Sequence, residues 1–152
     1  MIPYLMPLII RPLETNDFPS WLPLWNENNL GHRNEAVTTE TWSRLMDKNQ
    51  QVYGLCTLKN GEMAGFLHYV LHPTTGALEP ACYMQDVFVH PEYRKQGIAH
   101  ALVHELIKTS EKSDWSRIYW LADEANEAAQ ALYKNIGVKM NFNLFILPTK
   151  KT

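Results

Sequence analysis

The chain has 152 residues, of which 45% are hydrophobic and 20% are charged. This composition excludes a disordered chain, and the length predicts one domain, residues 1–152, whose core needs no disulfide or structural metal. Fourteen Lys and Arg against sixteen Asp and Glu give a net charge of -2, which argues against a nucleic-acid partner. No apolar run approaches the roughly 18 residues of a membrane span, so we expect a cytoplasmic protein that binds no membrane.

The first third of the chain predicts a strand and two helices. Residues 8–10 form a short apolar run that ends at Arg11 and Pro12 and is typical of a strand. Residues 16–30 carry large apolar side chains at helical spacing, with Asp17 as a candidate N-cap. Pro23 is expected to kink or split this helix. Thr39 is the expected N-cap of a second helix, which leaves residues 31–38 as a loop.

The middle of the chain predicts three strands in sequence. Residues 52–58 and 63–71 are rich in β-forming side chains, and Asn60-Gly61 between them is a strong signal for a type I′ hairpin turn. Residues 81–90 predict the next strand, whose last part is continuously apolar.

The last third of the chain alternates helices and strands. Residues 97–112 predict an amphipathic helix, 117–122 a strand, and 126–136 a helix that Gly137 would cap. Residues 138–147 are expected to supply the last strand or strands. The order of elements predicts an α/β (α+β) fold with a mixed sheet, helices on both of its faces, and a ligand site at the strand ends.

The segment from Val87 to His100 predicts an anion site where a strand leads into a helix. Backbone N–H groups at a helix start have no intrahelical partner, and the helix dipole adds partial positive charge there. Gly97 and Ala99 would let a pyrophosphate approach the backbone, and Arg94 and Lys95 add charge beside it. Without further signals, this segment could equally be a plain strand-to-helix turn.

Two blocks of sequence resemble the GNAT N-acetyltransferase superfamily. Arg94-x-x-Gly97-x-Ala99 is similar to its acyl-CoA-binding motif, and the run from Asn126 to Gly137 is similar to its later motif, with Tyr133 in the Leu-Tyr pair. Residues 21–25 and 83–86 are similar to a subgroup of small members that includes yeast histone- and polyamine-acetylating enzymes. The resemblance implies the GNAT fold, with a mostly antiparallel sheet, and acetyl transfer from acetyl-CoA to a primary amine by direct attack in a ternary complex.

The resemblance also implies roles for individual residues. Tyr133 would protonate the departing thiolate, and a backbone N–H near Val87–Val89 would hold the carbonyl oxygen of the intermediate. Asn126 would help to hold the cofactor, although it equally suits a helix N-cap. The residues expected to bind acetyl-CoA are Val87, Phe88, Val89, Arg94, Lys95, Gln96, Gly97, Ile98, Ala99, His100, Asn126 and Tyr133.

The general base is the least determined part of this mechanism. Asp86 lies on the strand where several family members place a carboxylate, and a buried or capping Asp is the alternative. Glu79 and Glu27 are possible substitutes for it. Trp25 is the candidate substrate-binding residue, because the first-helix region of the family borders the acceptor site.

Other candidate sites favour structural interpretations. His100 and His104 share a helical face without a third ligand, and His68 and His72 are too far apart on a strand for one metal, so we expect no metal. Cys56 and Cys82 lie in predicted strands, where a free Cys usually behaves as a small hydrophobe rather than a nucleophile.

The acceptor and the oligomeric state stay open at this stage. A small amine, such as a polyamine or an amino acid, is preferred over a protein lysine or N-terminus because no extended peptide groove can be inferred. A non-catalytic acyl-CoA-binding module is the alternative from another class. A homodimer is expected because such pairing is frequent in the superfamily that the chain resembles.

Overall fold

The computed structural model describes residues 8–28 and 34–149 of the chain. Two compact units make up the chain, Met1–Leu121 and Ala122–Thr152. The described elements are β1 (Ile9–Pro12), α1 (Phe18–Asn28), α2 (Glu35–Met46), β2 (Val52–Lys59), β3 (Glu62–His72), β4 (Ala81–Val89), α3 (Ile98–Ser113), β5 (Arg117–Tyr119) and α4 (Glu127–Lys134). The strands and α1 to α3 belong to the first unit, and α4 belongs to the second.

The described strands form one sheet in the order β1-β2-β3-β4-β5. The first three pairings are antiparallel, and β5 pairs with β4 in parallel. Asn60 and Gly61 both adopt positive φ, 54° and 81°, in the turn between β2 and β3, as a type I′ hairpin requires. The predicted mixed, mostly antiparallel sheet and its hairpin are confirmed.

Helices cover both faces of the sheet. On one face, the Trp21 ring of α1 packs against the rings of Phe66 and His68 of β3. On the other face lies α3, whose Ile98 comes close to Gly65 of β3. Because successive side chains of a strand point to opposite faces, β3 is sandwiched between the two helical layers. The core under α1 and α2 consists of buried side chains from Leu13, Trp21, Leu24, Trp25, Cys56, Met63, Phe66 and Phe88.

An irregularity in β4 interrupts its pairing with β3. His68 pairs with Asp86, but the next residue, Tyr69, pairs with Met84, so Gln85 is an extra residue on β4. Such a β-bulge bends its strand and re-aims the neighbouring side chains. No local sequence pattern predicts this bulge, which places Gln85 and Asp86 at one point of the sheet.

The two N-terminal helices differ from their predictions. α1 runs through Pro23 without splitting, because the packing of its buried Trp21, Leu24 and Trp25 outweighs the hydrogen bond that the proline removes and its steric cost. α2 begins at Glu35 rather than after Thr39, because the Asn34 side chain accepts a hydrogen bond from the Ala36 N–H and caps the helix there. Residues 35–38 of the predicted loop are therefore helical, and residues 31–33 lie outside the described residues.

Asp17 ties β1 to the start of α1. Its carboxylate accepts two hydrogen bonds from the Arg11 guanidinium, at 2.7 and 2.9 Å, and a third from the Glu14 N–H at 2.7 Å. The Arg11 hydrogen bond lowers the pKa of Asp17, so the pair stays ionised at neutral pH. α1, which carries Trp21 and Trp25, is thereby anchored beside the sheet.

The C-terminal part of the chain also differs from the prediction. β5 ends at Tyr119, and residues 138–149 form no strand. A strand requires a hydrogen-bonded neighbour, and residues 138–149 pair with no other part of the described chain. α4 is capped at its C-terminus by Asn135 instead of Gly137. Within the described residues, no helix is both long enough and apolar enough to span a bilayer.

Gly65 is predicted to be indispensable for the packing of β3 against β4. A Cβ at this position would lie 2.7 Å from the Phe88 carbonyl oxygen and 3.5 Å from Ile98. We expect Gly65→Ala to lower the free energy of unfolding by about 1–3 kcal/mol, because backbone must move to admit the methyl group. Gly76→Ala is the control, since only a side-chain atom 4.0 Å away approaches its added Cβ. Equal denaturation midpoints for the two variants would contradict this account.

Candidate active site

A cavity lies between the sheet and the two N-terminal helices. Its lining comes from α1, α2, β2, β3 and β4, and consists of Trp25, Thr41, Arg44, Leu45, Val52, His68, Val70, Gln85 and Asp86. One carboxylate, Asp86, and one guanidinium, Arg44, stand among apolar and neutral polar side chains. The cavity can therefore present opposite charges to a small ligand.

The bulge in β4 explains why Gln85 and Asp86 both line this cavity. In a regular strand, two successive side chains point to opposite faces of the sheet. Gln85 is the extra residue of the bulge, and the irregular backbone brings its side chain to the same cavity as that of Asp86. The bulge thus concentrates polar groups at one point of an otherwise apolar strand.

Asp86 is held by a chain of buried hydrogen bonds. Its Oδ2 lies 3.0 Å from Nδ1 of His68, whose Nε2 accepts a hydrogen bond from the Trp21 Nε1–H at 3.0 Å. The Asp86 side chain is 16% exposed and that of His68 only 4%. Asn28 of α1 contributes a longer contact, 3.5 Å from its Nδ2 to Asp86 Oδ1.

The sequence does not mark His68 as a functional candidate, except as half of a metal pair with His72. In the structure, the two side chains contact different residues. His72 Nε2 lies 2.7 Å from the Tyr119 hydroxyl, far from the Asp86 contact of His68 in the register of β3. The one available signal was a histidine within an apolar strand beside a strand that carries a single acid.

The tryptophans of the first two helices divide between cavity and core. Trp25 is 2% exposed, donates a hydrogen bond from Nε1 to Thr38 Oγ1 at 2.9 Å, and lines the cavity. Trp21 is fully buried, and Trp42 packs against it with ring centroids 4.8 Å apart. Of the three, only Trp25 borders the candidate acceptor site.

On the side away from β3, the second half of β4 has no partner among the described strands. β5 pairs with β4 only over the first three residues of β4, Ala81 to Tyr83. Beyond Tyr83, the described part of the chain supplies no further strand on that side of β4. The segment Val87–Val89 lies in this open half. The Phe88 side chain is buried in the core, and its carbonyl oxygen lies against Gly65 of β3, so Val87 and Val89 are the residues of this segment whose backbone groups face the open side.

The loop from β4 to α3 is the candidate anion cradle that the sequence predicts. Gly97 precedes α3 with φ 77°, and a Cβ built on it would meet no atom within 4 Å, so the space at the helix start is open. Lys95 also has positive φ, 63°. Arg94 donates from Nε to the Val89 carbonyl at 3.1 Å, which holds its guanidinium beside the loop. These features fit a bound pyrophosphate.

Contacts with the β2-β3 hairpin hold this loop in place. The Tyr93 hydroxyl donates to Glu62 at 2.6 Å, and Lys59 donates to the Gln96 side chain. Ile98 is buried at 2% exposure, so its side chain anchors α3 and only its N–H can face a ligand. The cradle is therefore built on the same sheet that carries Asp86.

The second unit carries the other two expected site residues. Asn126 is the N-cap of α4, where its side chain accepts a hydrogen bond from the Ala129 N–H at 3.1 Å. Tyr133 lies near the other end of α4, and burial raises the pKa of its hydroxyl. Capping of α4 alone accounts for an asparagine at position 126, without a bound ligand.

Several alternative candidates stand apart from the cavity. Glu27 and Glu79 are exposed and are not among its lining residues. His100 and His104 are exposed on α3 with their Nε2 atoms 3.1 Å apart, and no group of three or more ligand side chains exists among the described residues. Cys56 and Cys82 are fully buried, and burial raises the thiol pKa values to about 11 and about 12, which makes them poor nucleophiles.

The cavity and the cradle both fall within a match to a known family. The model of the acetyltransferase (GNAT) family matches residues 14–138. The chain belongs to the GNAT acetyltransferase family. GNAT enzymes use acetyl-CoA, so the chain is an acetyl-CoA-dependent N-acetyltransferase, and the expectation from the two sequence motifs is confirmed.

Curated relatives of this GNAT chain act on different acceptors. D-amino-acid N-acetyltransferase HPA3 of Saccharomyces cerevisiae is 26% identical over 143 residues, which are 91% of this chain and 89% of the relative. The [ribosomal protein bS18]-alanine N-acetyltransferase of Escherichia coli is 25% identical over 131 residues, which are 84% and 78% of the two chains. The acceptor thus varies among relatives at this level of identity.

Solved structures support the GNAT fold. A ribosomal-protein-alanine N-acetyltransferase from Brucella melitensis biovar Abortus 2308 superposes with TM-score 0.78 at 22% identity, covering 93% of this chain and 99% of that chain. The aminoglycoside acetyltransferase AAC(6')-Iy, in complex with a CoA-containing bisubstrate analogue, has TM-score 0.79 at 15% identity, covering 96% and 100%. The predicted fold is confirmed.

Proposed function

We propose that this enzyme acetylates the primary amine of a small acceptor that also carries a carboxylate. The amine would attack acetyl-CoA directly while both are bound to the enzyme, and residues 1–152 would act as one domain. The observation that carries the proposal is the single cavity that holds Asp86 and Arg44 between apolar walls. An amino acid has both charges needed to match this pair. The name of the yeast relative, a D-amino-acid N-acetyltransferase, supports the same acceptor class.

The cradle and the open half of β4 are the proposed binding site for acetyl-CoA. The N–H groups of the first turn of α3, with Arg94 and Lys95 beside them, would neutralise the pyrophosphate. The backbone of Val87–Val89 would hold the extended part of the molecule, and Asn126 would assist from α4. Acetyl-CoA supplies an acetyl group that its thioester activates toward nucleophiles.

Asp86 is the proposed general base. An alkyl ammonium with pKa about 10.4 is neutral in only about one molecule in 2,500 at pH 7, which costs about 4.6 kcal/mol before attack. His68 already occupies Oδ2 of Asp86, and the Asn28 contact to Oδ1 is long, at 3.5 Å. Oδ1 is therefore the atom that would bind the ammonium and take its proton.

Tyr133 is the proposed general acid. A phenol donates a proton effectively only while it remains protonated, and burial raises the pKa of Tyr133 above its ordinary value near 10. The hydroxyl therefore retains its proton throughout the neutral range. This property suits a group that must deliver a proton late in the reaction.

The acceptor class is tested by measuring thiol release from acetyl-CoA with four kinds of amine. The panel contains amino acids, polyamines, aminoglycosides and a histone-tail peptide. We expect saturable release with amino acids. Release with only polyamines or the peptide would overturn the acceptor class, and acetyl-CoA binding without release from any amine would indicate a non-catalytic acyl-CoA-binding module.

The role of Tyr133 predicts a loss of kcat. Tyr133→Phe removes only the hydroxyl, so we expect kcat to fall by about 100-fold or more, as for loss of a general acid. The Kd of acetyl-CoA, measured by calorimetry, should stay nearly unchanged. A variant with the kcat of the natural enzyme would exclude Tyr133 as the acid.

The role of Arg44 predicts a change in acceptor affinity. Its Nε lies 3.3 Å from Glu40 of the same helix, which orients the guanidinium at the cavity. Arg44→Gln should raise the KM of an amino acid by about 10-fold to 100-fold, the value of a charged hydrogen bond. The KM of the matching amine without a carboxylate should not change. Lys48→Gln, outside the cavity lining, is the control, and equal effects on both acceptors would refute the assignment.

We also propose that the enzyme is a homodimer. Large apolar side chains are exposed in the second unit, namely Val138, Met140, Phe142, Leu144, Phe145, Ile146 and Leu147. Exposed large apolar side chains in this number are typical of an interaction surface. Light scattering should give twice the chain mass of 17.6 kDa, and Phe142→Glu should shift the protein toward the monomer. A monomeric natural protein would contradict the proposal. The cytoplasmic location stays a prediction.

A further inference from the structure

His68 is a buried polar residue whose ring is confined on several sides. It is 3% exposed, stacks on the Phe66 ring at 4.4 Å between centroids, and lies 5.6 Å from the Trp25 ring. A buried imidazole is unfavourable unless both ring nitrogens have partners. The partners here are Trp21 at Nε2 and Asp86 at Nδ1.

These partners determine which nitrogen of His68 carries the proton. The indole N–H of Trp21 can only donate a hydrogen bond, so Nε2 of His68 must accept it and be unprotonated. In the neutral ring, the proton then resides on Nδ1. Nδ1–H in turn donates to Asp86 Oδ2 at 3.0 Å, which leaves the carboxylate held at that oxygen.

We propose that Trp21 and His68 form a positioning pair that fixes the orientation of the Asp86 carboxylate toward the acceptor amine. This inference rests on the proposed function of Asp86 as the base. Neither member of the pair needs to touch the substrate. Trp21 sets the tautomer of His68, and His68 then donates a hydrogen bond to Oδ2 of Asp86. Oδ1 of the carboxylate is thereby held in a defined position for the acceptor amine.

Few other charged groups lie where they could orient the Asp86 carboxylate. The α1 side chains around Asp86 are Trp25 and Asn28, which are uncharged, and β4 adds the neutral Gln85. Arg44 of α2 is the one cation in the cavity lining, and Glu40 contacts its Nε at 3.3 Å. His68 lies within ion-pair distance of Asp86, 3.0 Å from Nδ1 to Oδ2.

The test compares His68→Phe with His68→Asn. Phenylalanine preserves the ring and its stacking but removes the donor to Asp86. We expect kcat/KM to fall by about 10-fold to 100-fold. Asparagine can place an amide N–H near the position of Nδ1, so His68→Asn should recover most of kcat/KM.

The matched control is His72→Phe. His72 lies on the same strand and also has a partner on each ring nitrogen, Pro73 O and the Tyr119 hydroxyl. A loss of activity that reflected only weakened packing of β3 would appear in both variants. Equal kcat/KM for His68→Phe and His72→Phe would overturn the proposal.

A spectroscopic measurement separates this proposal from the proposed function. Long-range ¹⁵N–¹H NMR spectra at about pH 8, where an ordinary His is neutral, report the tautomer without turnover. We expect His68 protonated at Nδ1 in the natural protein and a mixture of tautomers in Trp21→Phe. This measurement does not need the His68→Phe variant, so it remains decisive if that variant fails to fold. If no amine is acetylated but this tautomer is observed, the proposed function fails and the pair stands. Protonation at Nε2 would overturn the pair.

Discussion

The hydrogen bond between His68 and Asp86 is the interaction on which the rest of the candidate site depends. It joins two residues that face each other across β3 and β4, at the last regular pair before the β-bulge at Gln85. A carboxylate beside an apolar core is stable only when charged or polar partners offset the loss of water. The buried pair of Trp21 and His68 provides that partner, so core packing under α1 also holds the carboxylate of the proposed base in place.

One strand links the two halves of the site. β4 carries Asp86 at the acceptor cavity and leads through Val87–Val89 into the cradle before α3. Because β5 leaves β4 after Tyr83, the second half of β4 has backbone groups to spare for acetyl-CoA. Because Gly65 has no side chain, the backbone of β3 can lie close to the Phe88 carbonyl in this half of β4. An acceptor amine and an acetyl donor can thus be aligned by a single rigid element.

Local signals predicted some parts of this arrangement and not others. Asn60-Gly61 and Gly97 sit where only particular backbone angles occur, so the hairpin turn and the start of α3 are readable from the sequence. The bulge at Gln85 and the partnership of His68 depend on the register between strands, which no local pattern encodes. The run after residue 138 has a strand-like composition, but it forms no strand because pairing requires a neighbour that composition cannot supply.

A double-mutant cycle between His68 and Asp86 tests the central claim most directly. The quantity to measure is kcat/KM for the natural enzyme, His68→Phe, Asp86→Asn and the double variant, with the best amine acceptor. If His68 acts only through Asp86, the double variant should be no slower than Asp86→Asn alone. Once the Asp86 carboxylate is gone, the hydrogen bond from His68 no longer contributes to kcat/KM. Losses that multiply, so that the double variant shows the product of the two single effects, would contradict the account.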